Sequence, residues 1–218
     1  MIILRALTIC FALTLVSAAF AQEKKADAPP AQTKREPTAA EISKTETLAS
    51  AFLRTFKWEE YEFRSAAENM PADKYDYRPA AGLFQSEKPE VGPSEVRTFG
   101  EQVKHVACAN FAFAAEMDGK KPPEACDRGG PNAAKTRDEL VVYLRDSFKA
   151  LNQSIMNLND KNKFDPIEGP YAGPNTRFGI AQAGIWHVAD HYGQIVIYMR
   201  LNGIVPPASR ATPTELMK

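Results

Sequence analysis

Apolar residues recur at three- and four-residue intervals in four separate stretches of the chain, and each stretch is bounded by signals that start or stop a helix. The first is predicted over 39–69. Thr38-Ala-Ala-Glu41 opens it with the form of a capping box, Leu48, Phe52, Phe56 and Phe63 supply its stripe with Met70 just beyond, and Pro71 ends it. The second is predicted over 95–118, entered through Ser94 and Glu95, with Phe99, Val103, Val106, Ala109, Phe113 and Met117 available for burial and Gly119 and Pro122-Pro123 at its end. Another capping box, Thr136-Arg-Asp-Glu139, starts the third, which runs to about Leu158 with Leu140, Leu144, Phe148, Leu151 and Ile155 on one face. The last spans 177–202 and stops at Asn202-Gly203. No segment between them alternates with the two-residue period of a strand. The predicted fold is all-α, a four-helix bundle in one domain over 38–210, with long irregular connections over 71–94 and 160–175 and a tail over 211–218.

The residues ahead of this domain belong to no helix of the bundle. Arg5 precedes an apolar run from Ala6 to Val16, and Ala19-Phe20-Ala21 has the small-x-small form of a signal-peptidase site, so Met1–Ala21 is expected to be a cleaved export signal and the protein periplasmic or secreted. Cys10 lies inside that leader with no lipobox around it. Residues 22–37 carry charge, alanine and proline but no large apolar side chain, the composition of a disordered tether.

The 27 basic residues balance the 27 acidic ones, and losing Arg5 with the leader leaves one net negative charge. That is neither a nucleic-acid footprint nor a basic membrane-binding one, so both partners are excluded. The expected partner is an unidentified small molecule, and a homodimer is the candidate assembly. Once Cys10 is removed only Cys108 and Cys126 remain, too few for a disulfide scaffold.

The chemistry rests on the only three histidines of the chain. His187 and His191 are four apart on the last helix and therefore share a face. They fall in the seam Ile180, Gly184, His187, His191, Gln194, Tyr198, Leu201, expected to point into the bundle. Two adjacent buried imidazoles need partners, because an unsatisfied buried polar group costs about 1–3 kcal/mol, and a shared cation satisfies both. His105, in the middle of the second helix beside Gln102, Ala109 and Ala112, is placed to complete the set. The acid of His187-Val-Ala-Asp190-His191 precedes the second histidine, so the zinc-protease motif H-E-x-x-H is absent, and the E-x-x-H pairs of di-iron bundles are missing too. Asp190 is rotated off the histidine face, which suits a solvated or helix-pairing role. Gln194, one turn past His191, either orients a ring or ligand or bonds between helices, and Glu101, one turn before His105, is a candidate acceptor for its ring or a surface acid. Trp186 and Tyr198 are expected to pack. Three readings are open to Cys108: a fourth ligand, a buried apolar residue, or half of a disulfide with Cys126, which export favours.

Four segments carry a family resemblance: Met70-Pro-Ala-Asp-Lys-Tyr-Asp-Tyr-Arg-Pro79, Arg97-Thr-Phe-Gly-Glu-Gln-Val-Lys-His105-Val, His187-Val-Ala-Asp-His191-Tyr-Gly-Gln194, and Arg200-Leu-Asn-Gly-Ile-Val-Pro-Pro207. Together they resemble the DinB-like family of metal-binding four-helix bundles. The resemblance implies an up-down-down-up bundle in which His105, His187 and His191 hold a divalent cation, commonly zinc or nickel, with positions left open for water. Related enzymes are thiol-dependent transferases and isomerases, but their small thiols are cytosolic. For an exported chain the resemblance and the donor set therefore point first to a metal-dependent hydrolase, which uses the Lewis acidity of the cation, with a transferase second. The alternative is a non-catalytic metal- or ligand-binding module. No nucleophilic triad, phosphate loop or dinucleotide fingerprint is present.

Overall fold

The four apolar stretches all form helices, although the first is broken, in the computed structural model, which describes residues 37–79, 95–126 and 134–211. The leader, the tether up to residue 36, Phe84 of the first connection and residues 212–218 of the tail lie outside the described residues.

The predicted first helix is two: α1 (Ala39–Thr45), which buries no residue, and α2 (Leu48–Asn69). Glu46 and Thr47 between them are extended, and Thr47 caps α2 by accepting a hydrogen bond from the Ser50 amide at 3.1 Å. A threonine hydroxyl that satisfies the orphan amides of a new helix competes with continuing the old one. The second predicted helix starts later than Ser94 and Glu95 suggest. It is α3 (Phe99–Met117), capped by Thr98, whose hydroxyl accepts from the Glu101 amide while the Glu101 carboxylate accepts from the Thr98 amide at 2.6 Å. α4 (Arg137–Met156) and α5 (Arg177–Leu201) begin at Thr136 and Thr176, and Gly203 after α5 takes the positive φ of 71° that glycine tolerates.

Helix directions follow from contacts at their ends. Arg137 at the start of α4 donates to the Glu68 carbonyl at the end of α2, and Asn152 Nδ2 donates to Glu60 Oε2 at 2.7 Å, so α2 and α4 are antiparallel. Asn110 Nδ2 donates to Ser147 Oγ at 3.3 Å and Ser154 Oγ donates to the Ala114 carbonyl at 3.4 Å, so α3 runs parallel to α4. Tyr198 near the end of α5 donates to the Arg97 carbonyl just before α3, making that pair antiparallel. With α2 packed on α4 and α5, and α3 packed on the same two helices, the bundle is up-down-down-up and its circular order is α2, α4, α3, α5. Both α2 to α3 and α4 to α5 join helices that sit diagonally opposite, which is why those connections are long.

The second connection is not wholly irregular. β1 (Pro166–Gly169) and β2 (Gly173–Thr176) form a two-stranded antiparallel hairpin with Ile167 opposite Asn175, a correction to the absence of strands inferred above. Four-residue strands are too short to show a period, and this pair is held from outside. Glu116 of α3, buried, accepts from the Tyr171 amide at 2.6 Å and from the Ala172 amide at 3.2 Å, pinning the hairpin turn to the bundle.

The core includes an aromatic cluster between α2 and α4, where Phe56 and Phe63 both meet Phe148, and Phe99, Met117, Leu144, Leu151, Ile155, Ile180, Ile195 and Met199 are fully buried around it. Burial of each such side chain contributes about 1.5–3 kcal/mol, so tertiary packing rather than helix propensity holds the bundle together. Two expected core residues of α5 face out instead: Trp186 is 66% and Leu201 47% exposed. The buried side of α5 centres on Ile180, Gly184, Val188, His191, Ile195 and Met199, a stripe from which Trp186 and Leu201 are rotated away.

Candidate metal centre

Antiparallel packing of α3 against α5 brings together histidines 82 positions apart. His187 Nε2 lies 3.1 Å from His105 Nε2, and the ring centroids of His105 and His191, and of His187 and His191, are 4.6 and 4.5 Å apart. One ligating nitrogen from each ring falls within 4.8 Å of the others. Gly184, one turn before His187, packs closely on α4, where a Cβ would meet a Leu151 methyl at 3.0 Å, while Phe113 of α3 lies at an ordinary 3.7 Å from the same point.

All three rings are neutral at neutral pH. Burial is the main cause in each case. It is reinforced at His105 by the Arg97 guanidinium and by His191, which together hold its pKa down to about 4. At His187 the other two imidazoles and Arg97 add to burial and hold it to about 3. His191 is lowered less simply, because Asp190 opposes burial and Arg97. Neutral imidazoles present lone pairs, the protonation state that metal ligation requires.

His191 is oriented by a relay that runs from α3 back to α5. Gln102 Oε1 accepts from His191 Nδ1 at 2.8 Å, Gln102 Nε2 donates to Gln194 Oε1 at 2.8 Å, and Gln194 Nε2 donates to Asp190 Oδ2 at 3.0 Å. Since an amide oxygen can only accept, the proton of His191 sits on Nδ1 and its Nε2 carries the lone pair.

The donor set fits a divalent cation. Two nitrogens bound tetrahedrally at the usual 2.0–2.1 Å are separated by about 3.3 Å, close to the His105 to His187 separation. Without a cation, one of those two nitrogens must donate to the other. A cation between them takes both lone pairs. Among the described residues the group that could hold a metal contains no fourth histidine, cysteine or carboxylate. Cys108 is joined to Cys126, with Cα atoms 5.1 Å apart, so its sulfur is not free to ligate.

The remaining candidates separate. Gln194 and Asp190 join the relay behind His191. Glu101 turns its carboxylate to the Thr98 amide and, at 3.5 Å, to Arg78, and completes the capping box of α3. Gln102 was not singled out from the sequence, although it stood there as an amide in the apolar stripe of α3, three residues before His105. Phe113 and Tyr171 were also missed as site residues: the Phe113 ring is nearly perpendicular to that of His187, at 5.8 Å between centroids, and to that of Tyr171 in the hairpin turn, at 5.2 Å.

A sequence model of the DinB superfamily matches residues 55–195, a span that holds all three histidines. The chain belongs to the DinB superfamily. Solved structures agree in fold. A DinB-like protein from Bacillus cereus is 17% identical, matching over 72% of this chain and 93% of its own with a TM-score of 0.55. A DinB-like protein from Bacillus subtilis is 18% identical, over 75% and 99%, with a TM-score of 0.54. A conserved protein from Enterococcus faecalis is 15% identical, over 72% and 98%, with a TM-score of 0.52. No curated protein matches the chain. For a DinB superfamily member the three-histidine group is thus a site able to hold a metal ion, placed where α3 and α5 meet.

Proposed function

We propose that this DinB superfamily chain is an exported protein that holds a divalent cation, zinc or nickel, on His105, His187 and His191 and acts as a metal-dependent hydrolase on a small molecule. The observation that carries the reading is the convergence of three neutral imidazoles with no fourth protein ligand among the described residues. A closed four-ligand set serves structure, whereas three ligands leave a position for water or substrate. A cation there supplies Lewis acidity. The protein supplies the rest. Gln102 fixes the tautomer of His191, Gln194 and Asp190 hold Gln102, and Phe113 with Tyr171 forms an aromatic wall beside His187. The Cys108–Cys126 disulfide supports export, because such bonds persist in oxidising compartments. The same compartment is poor in small thiols, which favours hydrolysis over thiol transfer.

The test is elemental analysis of protein purified from its native compartment, followed by ester, amide and phosphoester substrates with and without chelator. The reading expects about one equivalent of zinc or nickel, lost in His187→Ala, and a chelator-sensitive hydrolysis. Absence of bound metal in wild-type protein that also fails to take up added zinc or nickel refutes the centre. A metal-loaded protein that hydrolyses none of the panel leaves a binding module in place of an enzyme.

A further inference from the structure

A cavity of about 250 Å³ lies under the hairpin turn, beside α3, and takes no part in holding the histidines. Its walls are the Cys108–Cys126 disulfide, Ala112, Pro122, Pro170 and Tyr171. Cys108 is three and Ala112 seven residues past His105 on α3, so both stand on the histidine's side of that helix and the cavity begins one turn beyond it. Tyr171 links the two places from the other direction. It lines the cavity, and its ring packs at 5.2 Å on Phe113, which meets His187 at 5.8 Å.

These walls suit an apolar guest. Pro122 and Pro170 have no N–H to donate, and a disulfide has none either. The one charged group that lines the cavity, Glu116, commits both carboxylate oxygens to the hairpin, Oε1 accepting from the Tyr171 amide at 2.6 Å and Oε2 from the Ala172 amide at 3.2 Å. A polar group entering here exchanges its water for few new partners, whereas an apolar one gains by leaving water. Size narrows the choice further. At about 30 Å³ for a group as large as a water molecule, the cavity holds about eight such groups, fewer than a whole ligand needs, since sites for drug-sized molecules span about 300–1,000 Å³. It fits one end of a molecule whose other end lies outside it, and the three histidines are one helical turn away. We infer that this cavity is an acyl pocket, which receives a short apolar chain of about eight carbons or fewer while the bond to be hydrolysed stays at the three-histidine centre.

The pocket rests on the metal-dependent reading proposed above, and straight-chain hydroxamates separate the two, because the head group chelates zinc and only the chain reaches the cavity. Dissociation constants of acetohydroxamate and octanohydroxamate are measured by calorimetry on the zinc-loaded full chain, with circular dichroism as the check on folding. In wild type the longer probe is expected to bind more than about tenfold tighter, the gain of two fully buried methylenes at about fourfold each. Ala112→Leu fills the cavity from a position that is 4% exposed, with a residue that favours helix. It should leave acetohydroxamate bound as in wild type and cut the gain for the longer chain to less than about threefold. Should that variant fail to fold, Cys108→Ser with Cys126→Ser removes the sulfur wall and should cut the gain in the same way. Acetohydroxamate bound with no gain for the longer chain in wild type, or a gain that survives in the folded variants, overturns the acyl pocket and leaves the metal centre standing. Protein that takes up no zinc, or that binds neither hydroxamate when loaded, overturns the open metal centre and the pocket with it.

Discussion

Replacing Gln102 by leucine removes the acceptor that orients His191 while keeping the volume of a side chain that is 3% exposed. Two hydrogen bonds are lost, one from His191 Nδ1 and one to Gln194 Oε1, both 2.8 Å long. In the metal-free protein this leaves a buried imidazole N–H and an amide oxygen without partners, at about 1–3 kcal/mol for each group that water cannot reach. For metal binding the loss is more specific. The Nδ1 proton no longer has a designated acceptor, so the ring is free to turn or to change tautomer and its Nε2 lone pair is not held toward the cluster. Loss of a partner of this kind lowers metal affinity by about 10- to 100-fold, which corresponds to about 1.4–2.7 kcal/mol. Gln102→Glu keeps an anionic acceptor for His191 Nδ1 but gives up the donor to Gln194 Oε1, so it should retain more metal affinity than leucine does. The assay is zinc titration of chelator-stripped protein against a chromophoric competitor, with thermal unfolding to separate affinity from stability. Leucine at this position with zinc affinity within about threefold of wild type, in protein that unfolds at the expected lower temperature, would falsify the orienting role.

The pH dependence of the metal-free protein follows from the same rings. The unfolded chain protonates His105 and His187 near their ordinary value of 6.5, the folded protein only near about 4 and about 3, so between those limits the unfolded state holds more protons. Stability contributed by keeping these rings neutral is therefore complete above pH 6.5 and falls as the pH is lowered through that window. Thermal scans of stripped protein from neutral to acid pH should show the fall, and His187→Phe should flatten it; an equal slope in the variant counts against the assignment. Cys108→Ser with Cys126→Ser opens a link across a sequence separation of 18 and should cost about 3 kcal/mol in oxidised protein, seen as a melting temperature lower by roughly 6–12 °C; reductant should have the same effect on wild type and none on the variant. Gly169→Ala places a Cβ 2.1 Å from the Glu116 carboxyl carbon and should displace that carboxylate from the Tyr171 and Ala172 amides. Faster hydrogen exchange at those two amides, with a global loss of about 1–3 kcal/mol, is the expected result, and unchanged exchange contradicts the pinning role of Glu116.

What could be seen in the chain beforehand was whatever neighbours decide. Threonine three residues before glutamate marks a helix start because both partners of the box lie within one turn, and Thr136 with Glu139 behaves as such. Thr98-Phe-Gly-Glu101 carries the same mark, and taking Ser94 and Glu95 as the start passed over it. Thr47 opens α2 with serine rather than an acid at the third position, which made the break before it harder to see. The hairpin and the sidedness of α5 were hidden for a different reason. The hairpin is held by Glu116, 55 residues from Tyr171, and the buried side of α5 is set by which helices lie against it rather than by how apolar Trp186 and Leu201 are.

The site divides along the same line, and α3 shows where. Its apolar stripe is interrupted by two buried amides, Gln102 and Asn110, eight residues apart. Each announces that something polar stands opposite, since a buried amide without a partner is too costly to keep. Gln102 meets the imidazole of His191 from α5, and Asn110 meets the hydroxyl of Ser147 from α4. One holds a metal-capable ring and the other ties two helices, and nothing in either residue or its neighbours distinguishes the two outcomes. The distinction is made by rotation along α3, which turns Gln102 and His105 toward α5 and Asn110 toward α4, so it becomes legible only once the order of helices around the bundle is known. Given that order, a buried amide one turn from a histidine and facing a helix that carries two more is no longer ambiguous, and Gln102 follows from the fold as directly as His187 and His191 follow from their spacing.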